Sequence, residues 1–383
     1  MRAMQHILKP SKNLIHSLSR IYGERVNQIL KAIGSIGPRY YIRVNTLLQS
    51  STKLIEDMRS NRLEAFSDKE VEDALYLCTR ETRIESQDKI VQADLFAAEA
   101  ILQGAHLYAA GVRNCQGLRV STHVSVTDPN GITVGSGESL QDETSILTYR
   151  KGIAVKISEN PSGLPSLMET PWYASGQIYL QSLPAIVVGH VLDPQPGDVI
   201  VDLNCAPGGK MSHICQLTQN KARVLGFDRS TRKLERTKQT LDRLKCQNCS
   251  LILHDSRYVH IDYSLAVDKV LVDPPCSALG VTPKLSINKD TNNIRDLAAY
   301  QRQFLLTASK IVKPGGFVVY SVCTITFEEC EEIVGFAESD LGLKQIDAGP
   351  FIGGHGLDLN GMSQRFDPVS DGCGYFIAKF VKI

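Results

Sequence analysis

Apolar positions along the chain fall into three regimes. In the first, Leu14, Leu18 and Ile21, then Val26, Ile29, Leu30 and Ile33, recur at three- and four-residue spacing, which predicts two short amphipathic helices. Tyr40-Tyr41-Ile42-Arg43-Val44-Asn45 is the one strand candidate before residue 87, so residues 1–87 are expected to be mainly helical. From 88 to 163 the pattern changes to short β runs at 89–92, 118–126, 131–134 and 152–157, parted by Gly, Asn and Asp. They predict a small β-barrel or sandwich. Asn160-Pro161-Ser162-Gly163-Leu164-Pro165-Ser166 has the composition of a linker into a third unit, residues 164–383.

In that third unit buried-type strands at 198–203, 223–227, 250–253, 269–272 and 317–321 alternate with helical segments at 210–218, 231–245 and 297–312. Crossovers of helical length predict an α/β, mostly parallel, doubly wound sheet. Ligands of such sheets lie beyond the carboxyl ends of the strands, so the residues just after each strand carry the chemistry.

Composition narrows the class. With 383 residues, 43% hydrophobic and 22% charged, the chain has the make-up of a globular protein of two or three domains, which excludes collagen-like, coiled-coil and largely disordered readings. No apolar run approaches 18 residues, and no membrane helix is expected. Forty-two basic and 41 acidic residues leave a net charge of +1, against a polycation acting through bulk charge. Charge is nevertheless uneven: residues 1–43 hold Arg2, Lys9, Lys12, Arg20, Arg25, Lys31, Arg39 and Arg43 against Glu24 alone, and residues 221–245 hold nine basic side chains against Asp228, Glu235 and Asp242. Two such stretches suggest a localised surface for a polyanion. The acid-poor opening, residues 1–23, resembles a transit peptide superficially, but its helical spacing favours a folded start. Ten cysteines are too sparse for a disulfide scaffold, which points to reduced thiols in a cytoplasm. Cys246-Gln247-Asn248-Cys249 offers one zinc-like pair without a second pair or spaced His, so no metal is expected.

At the strand ends, Asp202-Leu203-Asn204-Cys205-Ala206-Pro207-Gly208-Gly209-Lys210 is a glycine-bearing strand-to-helix turn that brings backbone N–H groups close to a ligand. It is neither G-x-G-x-x-G nor a Walker A sequence, which removes dehydrogenase and nucleotide-triphosphatase readings. Asp228 ends the second strand, where a carboxylate accepts ribose hydroxyls, and Asp255 follows the third. Together these imply a nucleoside-like cofactor. The fourth strand ends in Asp273-Pro274-Pro275-Cys276-Ser277 and the fifth in Tyr320-Ser321-Val322-Cys323-Thr324, placing two candidate thiolate nucleophiles on one rim. Residue chemistry alone does not separate the two thiols.

The Asp202–Lys210 turn, the two cysteine segments, Tyr300-Gln301-Arg302, Gln364-Arg365-Phe366-Asp367-Pro368 and Gly374-Tyr375-Phe376-Ile377-Ala378 together resemble the Nop/Sun family of RNA cytosine-C5 methyltransferases. Arg43-Val44-Asn45-Thr46 is similar to that family's leader before its core. Residues 99–112 resemble the opening of a PUA domain, a small RNA-binding barrel. A PUA insertion followed by Gln181-Ser182-Leu183-Pro184 is similar to the subfamily acting on cytosine 72 of the tRNA acceptor stem. The chain departs from the family pattern at Asn204 and Cys205, where the first Cys is shifted by one, and at Met211, Val322 and Cys330.

The resemblance implies a Rossmann-like class I methyltransferase domain using S-adenosyl-L-methionine. Asn204, Cys205, Ala206, Pro207, Gly208, Gly209 and Lys210 would take the methionine portion, Asp228 the ribose and Asp255 the adenine. It further implies Cys323 as the nucleophile adding to cytosine carbon 6 and Cys276 as the thiol assisting release. Addition puts negative charge on the ring, which calls for a donor near ring nitrogen 3 or the carbonyl oxygen, and Lys210 and Asp273, both also expected at the cofactor site, would act as a pair orienting the base. tRNA would be the partner, its CCA end on the barrel and its phosphates near Arg113, Arg119, Arg150, Lys151 and Lys156. The rival readings are an rRNA cytosine methyltransferase, a DNA methyltransferase of the same fold, and a non-catalytic RNA-binding protein.

Overall fold

A computed structural model describes Leu8 and residues 10–383; Arg2 and Lys9 of the first basic stretch, and most of the first ten residues of the acid-poor opening, lie outside the described residues. The first two helices form where the apolar spacing puts them, α1 (Lys12–Tyr22) and α2 (Val26–Ile33). Ser11 starts α1 by accepting the Leu14 N–H. Their inner faces do not close on each other alone: Leu14, Leu18, Ile29 and Ile33 pack with Leu279, Ile294 and Ile325 of the last unit. Strand β1 (Arg39–Val44) follows, then α3 (Ser51–Ser60), β2 (Phe66–Ser67) and β3 (Ala74–Cys78). The sequence pattern showed only the first of these strands. β2 is too short for a period, and β3 alternates only over five residues.

The chain then enters the barrel: β4 (Ile90–Ala93), α4 (Leu95–Ile101), β5 (Leu107–Tyr108), β6 (Val112–Asn114), β7 (His123–Thr127), β8 (Thr133–Ser139), α5 (Glu143–Tyr149) and β9 (Ile153–Glu159). The strands run in the order β5-β9-β8-β7-β4-β6 around Val91, Val124, Val126, Val134 and Val155. The run at 118–126 shortens to a strand starting at His123, because Leu118 enters the core from a turn in which its N–H bonds the Cys115 carbonyl. The two helices went unpredicted, although Asp94 and Asp142 cap them by accepting backbone N–H groups.

After α6 (Pro171–Ala174), β10 (Ile178–Leu180) returns to pair antiparallel with β1, completing a sheet of order β10-β1-β3-β2. The barrel is thus inserted into the first unit. α7 (Leu183–Leu192) is apolar on every side and buried, so it carries no amphipathic period to read.

The third unit continues with β11 (Val199–Asp202), α8 (Gly209–Leu217), β12 (Arg223–Asp228), α9 (Thr231–Arg243), β13 (Cys249–Leu253), α10 (Val259–Asp262), β14 (Val267–Val272), α11 (Thr291–Ile311) and β15 (Val312–Val322). All five expected strands are present, mutually parallel, in the order β13-β12-β11-β14-β15. After α12 (Glu331–Leu341) and the strands β16 (Leu343–Ile346), β17 (Gly354–His355) and β18 (Gln364–Phe366), β19 (Tyr375–Lys382) lies antiparallel beside β15. Strand order reverses between β11 and β14, which opens a crevice above their carboxyl ends. No helix among the described residues is long and apolar enough to cross a membrane.

Candidate functional site

Asp202 ends β11 at that crevice and is 1% exposed; burial pushes its carboxyl up to about 7. It accepts the Asn204 N–H at 3.0 Å and so shapes the turn. Gly208 caps α8 at φ +100°, a left-handed conformation that a side chain would strain. Gly209 is required by space: a Cβ there would meet the Tyr179 ring at 2.7 Å. Cys205 and Met211, two departures from the family pattern, pack under the turn, both within 3.0 Å of where a Gly226 Cβ would stand.

A cavity of about 190 Å³ opens above the turn, lined by Asn204, Pro207, Gly209, Lys210 and Asp273 and walled by Tyr179. Asn204 Oδ1 is buried there without a partner, an acceptor available to an amino or hydroxyl group. Further along the rim, Asp228 spends Oδ1 on the Ser230 N–H at 2.9 Å, while Oδ2 has the Lys233 ammonium at 3.8 Å. Asp255 is more heavily engaged: Arg257 grips both its oxygens, at 2.6 Å from Nη2, which holds the carboxyl below its ordinary value. An orphaned acceptor, a glycine cradle and a ribose-competent carboxylate fit S-adenosyl-L-methionine.

Cys276 and Cys323 face each other beside this cavity, their Sγ atoms 3.4 Å apart. The shared hydrogen bond raises the Cys276 thiol, with burial adding to it, and lowers Cys323. The structure thus brings the two thiols that residue chemistry left equivalent into one hydrogen bond. Lys210 Nζ lies 2.6 Å from Asp273 Oδ2, and Ser321 Oγ donates to Asp273 Oδ1 at 3.1 Å. Burial alone would lower the Lys210 ammonium, but Asp273 and Tyr375 raise it above its ordinary value. Both Asp273 oxygens are acceptors here, so the donor of the pair is Lys210. A second cavity, about 220 Å³, reaches Cys323 from the side of β1 and β10 and is bordered by Tyr41, Gln181, Cys373 and Tyr375. Cys373 is a third thiol of this rim, pushed up to about 12 by burial, and the sequence reading did not single it out.

The first unit contributes more than its leader resemblance implied. Arg43, counted as part of a basic surface, is instead 1% exposed. It donates to Gly209 O and Gln181 Oε1 at 2.6 Å and to Ser212 Oγ at 2.7 Å, bracing the first turn of α8. Burial lowers its guanidinium to about 10. Asp73, just before β3, accepts from His190 Nε2 at 2.8 Å, His213 Nε2 at 2.7 Å and Gln216 Nε2 at 2.9 Å. These Asp and His side chains have metal-ligand spacing, but His213 Nδ1 has no partner, whereas a ligating imidazole hands its second N–H to an acceptor. The cluster is a hydrogen-bonded clamp between β3, α7 and α8. Under α8, Cys246 and Cys249 pack with Cys215 in the same core cluster.

The five barrel cations are all exposed. Arg150 already donates to the Val112 and Ala110 carbonyls, and Lys156 faces Glu169 at 3.9 Å, which leaves Arg113, Arg119 and Lys151 less engaged. On α9, Arg232, Lys233, Arg236 and Lys238 form an exposed basic row.

Residues 189–381 match the family model described as 16S rRNA methyltransferase RsmB/F, and residues 89–160 match that of the PUA domain. The chain is 36% identical to a tRNA (cytosine(72)-C(5))-methyltransferase of Pyrococcus horikoshii, covering 100% of this chain and 99% of that protein. It is 31% identical to tRNA (cytosine(72)-C(5))-methyltransferase NSUN6 of Homo sapiens, covering 74% and 73%. Among solved structures it resembles NSun6 from Pyrococcus horikoshii with SFG, at a TM-score of 0.87 over 97% of this chain and 98% of that one.

Proposed function

The chain belongs to the RsmB/F, or Nop/Sun, family of methyltransferases, and we propose on that premise that it forms 5-methylcytosine in tRNA, at cytosine 72 of the acceptor stem. S-adenosyl-L-methionine supplies the methyl group when bound. The observation that carries the reading is the cysteine pair, 3.4 Å apart at neighbouring strand ends and beside the Lys210–Asp273 ion pair.

Cytosine carbon 5 is a poor nucleophile, and addition of a thiolate to carbon 6 makes it an enamine carbon able to take a methyl group. Cys323 is the thiol whose surroundings favour the thiolate. Addition moves negative charge onto the ring, and Lys210, fixed by Asp273, is the donor poised to stabilise it. Cys276 starts protonated and ends as the group that assists release of the methylated base. The barrel would receive the CCA end, and the base pair of cytosine 72, being the terminal pair of the acceptor stem, costs little to open.

The test is methyl transfer from labelled S-adenosyl-L-methionine to total tRNA and to rRNA, with 5-methylcytosine mapped in the product. Label at the tRNA acceptor end, lost in Cys323→Ala, is the expected result; label confined to rRNA would overturn the substrate assignment.

A further inference from the structure

Glu329 is 0% exposed, and among the described residues it forms no ion pair. It accepts four hydrogen bonds and donates none. Oε1 takes the Ser277 N–H at 2.8 Å and Gln301 Nε2 at 2.9 Å, while Oε2 takes Thr326 Oγ1 at 2.9 Å and Thr324 Oγ1 at 3.3 Å. Ser277 follows Cys276 and Thr324 follows Cys323, so one carboxylate holds the residues next to both thiols. Ser277 Oγ and Thr324 Oγ1 also meet at 2.6 Å. Gln301 extends the lock by donating to Pro275 O at 3.0 Å, and Tyr320 closes it by donating to Gln301 Oε1 and to Glu329 O.

Burying a carboxylate without a cation is costly, and neutral side chains could supply the same ties. The charge itself therefore calls for a role. It is bonded to the main chain next to Cys276, through the Ser277 N–H at 2.8 Å, but reaches the residue next to Cys323 only through the Thr324 side chain, at 3.3 Å. Lys210, Asp273, Tyr375 and Cys373 are the other titratable groups bearing on Cys323.

We propose that Glu329 is a positioning residue that gives the two thiols unequal roles, locking their loops at bonding distance and disfavouring negative charge on Cys276 so that the thiolate resides on Cys323. This rests on the cysteine mechanism above and adds to it the group that sets the division of labour. The field of Glu329 raises Cys276, in agreement with that geometry.

The experiment alkylates the full-length protein with iodoacetamide at pH 7, without tRNA or cofactor, and maps the modified cysteine by mass spectrometry. In the wild type Cys323 reacts at least about tenfold faster than Cys276, because more of it is thiolate. Glu329→Gln, which keeps shape and removes charge, lowers that preference about tenfold towards parity, while Glu329→Asp, which keeps the charge, stays within about threefold of wild type. An unchanged preference in Glu329→Gln, or an equal loss in Glu329→Asp, would overturn the proposal. Should Glu329→Gln not fold, Cys323→Ser and Cys276→Ser give a second test. The remaining Cys276 must reach half-maximal alkylation at a higher pH than the remaining Cys323, and coincident curves sink the idea. The catalytic reading fails separately, if Cys323→Ser still methylates tRNA.

Discussion

Two thiols of one residue type differ here because each sees a different neighbour. Cys323 and Cys276 share one hydrogen bond, the Lys210 charge acts on Cys323, and Glu329 bonds the main chain beside Cys276. Cys323→Ala should abolish methyl transfer, whereas Cys276→Ala should accumulate an enzyme–tRNA adduct that survives denaturing gel electrophoresis. Recovery of free methylated tRNA from Cys276→Ala at the wild-type rate would contradict the release role. Lys210→Met leaves Asp273 with Ser321 alone and removes the donor to the ring. A fall in kcat of roughly a hundredfold is expected, typical of losing one charge-stabilising group, and single-turnover kinetics measures it. His213 supplies a pH signature. Burial lowers its imidazole from 6.5 to about 4, and its two partnering groups hold Asp73 well below the usual carboxylate range. Both shifts have the same sign for stability: the contribution of His213 is complete above pH 6.5 and is lost as pH falls from there towards 4, and that of Asp73 is lost only at lower pH. The His213 loss is on the order of 3 kcal/mol, so the denaturation midpoint should fall steeply across that window in wild type and less steeply in His213→Gln.

At the scale of elements, α8 is the piece on which the site depends. Its N-terminus carries the glycine turn, its first turn is held by Arg43 from β1, and its middle is held by Asp73 from beside β3. Arg43→Met would strip donors from Gly209 O, Ser212 Oγ and Gln181 at once. We expect a loss of about 2–4 kcal/mol in stability, since buried acceptors are left unpaired, together with weaker S-adenosyl-L-methionine binding by calorimetry. Unchanged cofactor affinity in a folded Arg43→Met protein would show that the brace does not reach the turn. α8 was legible in the sequence from its glycine turn and following helical segment. α7 was not, because a helix buried on all sides lacks a polar face, and β10 was not, because three residues cannot establish a period.

For the whole molecule, the barrel lies within the first unit rather than merely ahead of the catalytic one, since β10 pairs with β1 after the chain has passed through it. That arrangement ties the barrel to the same sheet that braces α8. Exchanging Arg113 and Lys151 for Glu should raise KM for tRNA about tenfold and reduce the salt dependence of binding by about one unit of slope per cation, while leaving kcat in place. Filter binding across a salt series checks it, and an unaltered slope would remove these two side chains from the RNA path. A net charge of +1 gave no sign of these cations, and the local charge clustering lay elsewhere, at 1–43 and 221–245; the resemblance to a PUA barrel is what suggested them.

Short-range physics made the sequence informative. Apolar alternation and helical spacing act over a few residues, so the five parallel strands, the helices between them and the strand-end motifs were readable from residues 198–323, as was the change to short β runs after residue 88. The identities of Asp228, Asp273, Cys276 and Cys323 at strand ends followed from the same alternation. Tertiary structure alone decided which distant polar groups meet: Arg43 with Gly209, Asp73 with His190 and His213, Cys373 with the cavity at Cys323, and Glu329 with the residues beside both thiols. Such pairings leave no periodic trace, because a buried hydrogen bond or ion pair needs only that its two ends be brought together, and sequence separation does not enter its energy once the chain has folded.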